Sequence, residues 1–241
     1  FNKSADGVFN IPVGETAALR VSLGRVDNAG LVDYPNVYVL DSQGAPVAPN
    51  GITDPAASYR AVEDADTVEI DYARMSLLYK PGNRFQALLT YQAQRDKVGG
   101  RRQPTIGNNG FGVPYGEYEN GSIQLEPSRR DVNMTALEMD LDIGFATLSS
   151  ATSHYSQDGD SLSENTGFYA QNSWLADYYY NYPRPMAQAE RGYADSAISQ
   201  ELRLVSKKGA TFDWIAGAYF QDQDLDANQY SYLRGLKAWA D

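Results

Sequence analysis

The feature that most constrains this chain is an alternation of apolar and polar residues that keeps returning along its length. Over residues 16–27, Ala17, Leu19, Val21 and Leu23 alternate with Ala18, Arg20, Ser22 and Gly24. Over 70–80, Ala73, Met75, Leu77 and Tyr79 alternate with Tyr72, Arg74, Ser76 and Leu78. The same period returns over 85–93, 135–141, 198–205 and 212–220, and more weakly over 8–11 and 145–157. Successive side chains of a strand point to opposite faces, whereas a helical face repeats every three to four residues. The pattern therefore predicts an all-β chain of about eight strands.

The connections alternate too. Four are tight, at 12–15, 81–83, 141–144 and 207–210, and carry the Pro and Gly that hairpin turns use. Three are long, at 28–67, 96–128 and 158–195, or 40, 33 and 38 residues counted inclusively. Compact soluble domains connect their elements with roughly 4–6 residues. Strand, short turn, strand, long loop is the order expected of an up-and-down antiparallel transmembrane β-barrel, with short turns on one side and long loops on the other. A strand of ~11 residues at ~3.3 Å each, tilted by ~45°, spans about the 25 Å of such a barrel's apolar band. The alternative is a soluble extracellular β-domain that binds carbohydrate through its tyrosines, of which there are 18.

Composition narrows the function. The 241 residues hold no cysteine, which excludes disulfide scaffolds and thiol chemistry. A net charge of -11 leaves no basic footprint for displacing counterions, so nucleic acid is not an expected partner. No apolar run approaches the length of a spanning helix, a test to which β-barrels are blind.

Several segments resemble a known family. Ile198-Ser199-Gln200-Glu201-Leu202-Arg203-Leu204-Val205-Ser206, followed by Asp213-Trp214-Ile215-Ala216-Gly217-Ala218-Tyr219-Phe220, is similar to a hairpin of TonB-dependent outer-membrane receptors. Segments around residues 11–22, 74–89 and 137–153 resemble barrel hairpins of the same family. The resemblance implies an outer-membrane receptor for energised uptake of a scarce small-molecule ligand such as a siderophore, cobalamin or glycan. It implies contact with outer-membrane lipid, and coupling to the TonB protein through a plug domain that this chain does not show. The chain is accordingly expected to be a middle section of a larger barrel, with bare edge strands near Val8 and Phe220, no catalysis and no cofactor.

Candidate site residues follow from the alternation. Arg20, Arg74, Glu138, Glu201 and Arg203, with Asp140, share the polar phase and are expected to line the lumen. Leu19, Met75, Leu89, Leu202 and Trp214 share the apolar phase and are expected to face outward. Trp174, Tyr178, Tyr179, Tyr180 and Tyr182 cluster in the third long connection, where rings can stack on a ligand or pack on one another. The glycines of the second long connection lack the lysine of a phosphate-cradling loop. Asp222, Asp224 and Asp226 lack the Gly and Glu of a calcium loop and read as a solvated strand end. His154, the one histidine, has no nucleophile elbow near it.

Overall fold

The computed structural model describes residues 1–44, 46–47, 59–109, 112–171, 186–207, 209 and 212–237. Eight strands form one antiparallel sheet: β1 (Lys3–Val13), β2 (Ala17–Asn28), β5 (Val68–Tyr79), β6 (Phe85–Val98), β7 (Ser128–Asp142), β8 (Ala146–Glu164), β9 (Ala187–Ser206) and β10 (Ile215–Leu233). Each pairs with its neighbours in that order, an up-and-down arrangement without crossovers. Inside the first long connection, β3 (Tyr34–Tyr38) and β4 (Tyr59–Val62) make a separate hairpin. The third holds a short helix, α1 (Thr166–Gln171). The sheet is open: β1 and β10 each pair on one side only, among the described residues.

Local chemistry sets the turns. Gly14, at φ 68°, closes the β1–β2 hairpin, where Val13 faces Ala17. Gly144, at φ 94°, donates its amide N–H to Asp142 Oδ1 (2.8 Å) between β7 and β8. Both positions lie in the left-handed region, which glycine enters without a Cβ penalty. Pro12 sits in β1, an edge strand, where a missing amide N–H is tolerated.

The register corrects the expected boundaries. β8 runs on to Glu164 and β9 begins at Ala187, so the third connection is 165–186 rather than 158–195. β10 likewise continues to Leu233, which puts Asp222, Asp224 and Asp226 in mid-strand, opposite Ile198, Ser196 and Ala194, and not at a solvated end. The cause is plain in the sequence: both faces are polar over these stretches, so the hydrophobic period vanishes while backbone pairing persists. At the other end β10 begins at Ile215, so Phe212 and Trp214 precede the strand.

The two ends of the sheet do not line up across it. One row of partners runs Ala17, Tyr79, Ala87, Met139, Ser150, Leu202, Ala218. Ala17 is the first residue of β2, whereas β9 continues from Leu202 to Ser206. The strand ends are therefore staggered across the sheet.

Cross-strand partners share a face, and so do residues two apart. One face carries Leu19, Leu23, Met75, Leu77, Leu89, Leu137, Leu202 and Phe220; we call it the leucine face. The other carries Arg20, Arg74, Glu138, Asp140, Glu201 and Arg203, and we call it the polar face. Among the described residues no second sheet packs on the leucine face: Leu77 is 42%, Leu89 44%, Leu202 45% and Phe220 60% exposed. The buried cluster of the molecule lies in the long connections instead, where Val32, Tyr34, Val37 and Ala65 pack with Val62 and Leu125.

Candidate functional site

The polar face carries several hydrogen-bonded groups, of which the most extended spans β8, β9 and β10. Asp195 is its hub. Its Oδ2 accepts from the Tyr155 hydroxyl (2.9 Å) and Gln157 Nε2 (3.0 Å), and its Oδ1 accepts from Gln223 Nε2 (2.8 Å). The chain of partners continues along β10, where Gln221 Nε2 donates to Gln223 Oε1 (3.3 Å) and the Tyr219 hydroxyl to Gln221 Oε1 (2.5 Å). Nearer the short turns, the hydroxyls of Ser153 and Ser199 bond across β8 and β9 (2.7 Å). Beside them the Ser149 hydroxyl (2.5 Å) and Gln86 Nε2 (2.9 Å) donate to Asp140. Only antiparallel register assembles these groups, because Tyr155, Asp195 and Gln223 are far apart in sequence.

The predicted polar residues fall into three places. Arg203 grips Glu201, two residues away on β9, through Nε to Oε1 (2.8 Å) and Nη2 to Oε2 (3.1 Å). Arg20 and Arg74 come together on β2 and β5, lining a groove of about 440 Å³ with Asn10, Ser22 and Ser76. Arg20 Nε donates to Asn10 Oδ1 (2.6 Å), while the Arg74 guanidinium has no acceptor among the described residues. Glu138 stands apart from both, between Leu88 and Ala151 in the register. Trp174, Tyr178, Tyr179, Tyr180 and Tyr182 lie outside the described residues.

No protein-family model matches the chain, and no curated protein matches its sequence.

At the loop end, the first two long connections are clamped into one body. Asp66 is fully buried, and its Oδ1 accepts from the amides of Leu31 (2.5 Å) and Val32 (2.7 Å) while Oδ2 takes Arg102 Nε (2.6 Å). Burial opposes the charge on this carboxylate. The two amides and the Arg102 guanidinium outweigh that cost and hold its pKa below the usual carboxylate value. Tyr34, also fully buried, receives the Arg101 amide on its hydroxyl (2.9 Å), and burial pushes its pKa up. Backbone bonds from Tyr38 to Ile123 (2.8 Å) and from Asn120 to Asp33 (2.8 Å) complete the joint.

Sequence reasoning missed both the Asp195 hub and the Asp66 clamp. The period-two spacing of Tyr219, Gln221 and Gln223 marks one face of a strand, which is a usable signal for the hub. Asp66 has none, because its partners come from two separate connections. His154 sits on the leucine face between Thr135 and Ile198 in the register, away from the polar network. The surface as built is suited to exchanging hydrogen bonds with water and hydrated solutes.

Proposed function

We propose that the chain is barrel wall of an outer-membrane receptor of the TonB-dependent type, serving uptake of a scarce small molecule. The observation that carries this reading is the open eight-stranded sheet whose leucine face is exposed. In water a sheet buries its apolar face against a second layer. In a bilayer the lipid is that second layer, and only closed barrels or helices satisfy every backbone group there. The stagger of strand ends supports the reading, since tilt and shear are what closure into a barrel requires. The polar face then lines the hydrated interior, with Arg74 and the Asp195 network on the path of a solute. The resemblance of residues 198–220 to a receptor hairpin supplies the receptor type and, with it, the expected TonB coupling.

The bare edges at β1 and β10 bear on the barrel's size. An unpaired edge in lipid costs several kcal/mol per orphaned polar group. Further strands are therefore expected to cover both edges in the assembled wall.

Membrane fractionation tests the class directly. The protein should sediment with outer-membrane vesicles, resist alkaline extraction and require detergent for solubility. A monomeric, detergent-free chain with saturated edges would replace this reading with the soluble carbohydrate-binding β-domain. Deleting the gene should abolish growth on one scarce nutrient while leaving passive small-solute permeability intact.

A further inference from the structure

The leucine face is not uniform from one end of the strands to the other. Three successive rungs of the register cross β1, β2, β5, β6 and β7. The lowest is apolar, with Phe9, Val21, Met75 and Tyr91. The middle one is small over β1, β5 and β6, with Gly7, Ala73 and Ala93 around Leu23, and ends on β7 at Asn133, whose Oδ1 accepts from the Tyr91 hydroxyl (2.9 Å). The uppermost is charged, with Arg25, Asp71, Arg95 and Asp131 in adjacent strands. Rungs on one face are two residues apart, or about 6.7 Å. The small side chains leave the backbone bare between bulky neighbours, and the result is an open groove of about 700 Å³. Its floor is apolar and one rim is charged.

The charges on that rim are unequally engaged. Arg25 is taken up by carboxylates, with Nη1 on Asp71 (3.0 Å) and Nη2 on Glu69 (3.3 Å). Arg95 donates only Nε, to Asp131 Oδ1 (2.6 Å), and its side chain is 63% exposed. Both of its terminal nitrogens lack an acceptor among the described residues. A guanidinium in that state presents a fork of N–H groups that matches phosphate geometry. Asp71 and Asp131 match Arg25 and Arg95 in number on this rung, and Arg129 also reaches Asp131 (3.7 Å), so the rim is balanced and the unengaged fork of Arg95 is the group that meets a phosphate.

We propose that this groove binds a phosphate-bearing acyl lipid, its chain lying on the Gly7–Ala73–Ala93 floor and its phosphate on Arg95. The proposal rests on the lipid-facing reading of the leucine face and adds to it one preferred headgroup chemistry at one place. The source is membrane lipid rather than free phosphate, because the apolar floor contributes nothing to an inorganic ion.

The test is native mass spectrometry of the chain in dodecyl maltoside micelles supplied with phosphatidic acid or with phosphatidylcholine of the same chains. Phosphatidic acid should be retained in preference. Losing a charge-assisted hydrogen bond should lower retention about tenfold in Arg95→Gln. Ala93→Phe should fill the groove and lower it while leaving Arg95 in place, and Arg203→Gln on the polar face should leave retention unchanged. Excess inorganic phosphate should not displace the lipid. Equal retention of the two lipids, an unaltered Arg95→Gln, or displacement by phosphate alone would overturn the proposal. Those outcomes, in a chain that still needs detergent, leave the barrel-wall reading standing. A chain soluble without detergent removes that reading and this one together.

Discussion

Asp66 shows how much organisation a single buried carboxylate brings to the long connections. It ties residues 31 and 32 to Arg102 and so reinforces two connections that also meet through the Asp33–Glu119 bridge and a few backbone bonds. Its folded pKa lies below its unfolded one, so the clamp contributes fully above the unfolded value of about 3.9. That contribution is lost as pH falls through the folded pKa. Acid titration followed by hydrogen exchange should therefore release the amides of Leu31 and Val32 below about pH 4, before the sheet amides. Asp66→Asn should cost about 1–3 kcal/mol at neutral pH, read as loss of protection in this region, because the buried amide is a weaker acceptor for the Leu31 and Val32 N–H groups while the half-exposed Arg102 turns to water. Gly30 is the other sensitive position: a Cβ there would stand 2.1 Å from the Asp64 carbonyl oxygen. Backbone has to move to admit it, so Gly30→Ala should destabilise the same joint by about 1–3 kcal/mol in a denaturant titration. By contrast Gly24, under the Tyr72 ring, meets only the far end of a side chain that can swing away.

At the scale of strands, the two faces make opposite demands. Leu89 and Gln92 lie on the same strand, β6, but on opposite faces. If the leucine face meets lipid, Leu89→Arg should cost about 2–4 kcal/mol in bilayer-refolding titrations, the range for a cation near the midplane of a barrel's outer face. Gln92→Arg should cost little, because the polar face is hydrated. Equal costs at the two positions would contradict the assignment of faces. The polar bonds of β8, β9 and β10 belong to this scale as well. Asp195→Asn keeps the shape but weakens the acceptor for Tyr155, Gln157 and Gln223. A solute-uptake assay should respond to it more than a folding assay does.

For the molecule as a whole, the open edges are the decisive feature. β10 has 19 residues, paired on one side to β9. Alternate amides on its outer side should exchange with solvent rapidly in the chain studied alone, while those directed at β9 are protected. Protection of both sets in native membranes would show that a further strand lies against β10. Equal, rapid exchange of both sets would mean that the β9–β10 pairing itself is absent.

The strands were legible in the sequence where one face is apolar and the other polar, as in β2, β5 and β6, because that contrast is written residue by residue. Four of the seven neighbour pairings followed as well from the short turns, whereas β2 with β5, β6 with β7 and β8 with β9 pair across long connections that impose no neighbour. The far reaches of β8, β9 and β10 were not legible, because both of their faces are polar and only backbone pairing holds them extended. The shared face of Arg20 and Arg74 was implicit in the alternation, yet their meeting at one groove depends on the register between β2 and β5. The β3–β4 hairpin, the Asp66 clamp and the Asp195 hub were decided by tertiary structure alone. Each joins residues more than 20 positions apart, and a local pattern records which face a side chain takes but not which distant partner it will meet there.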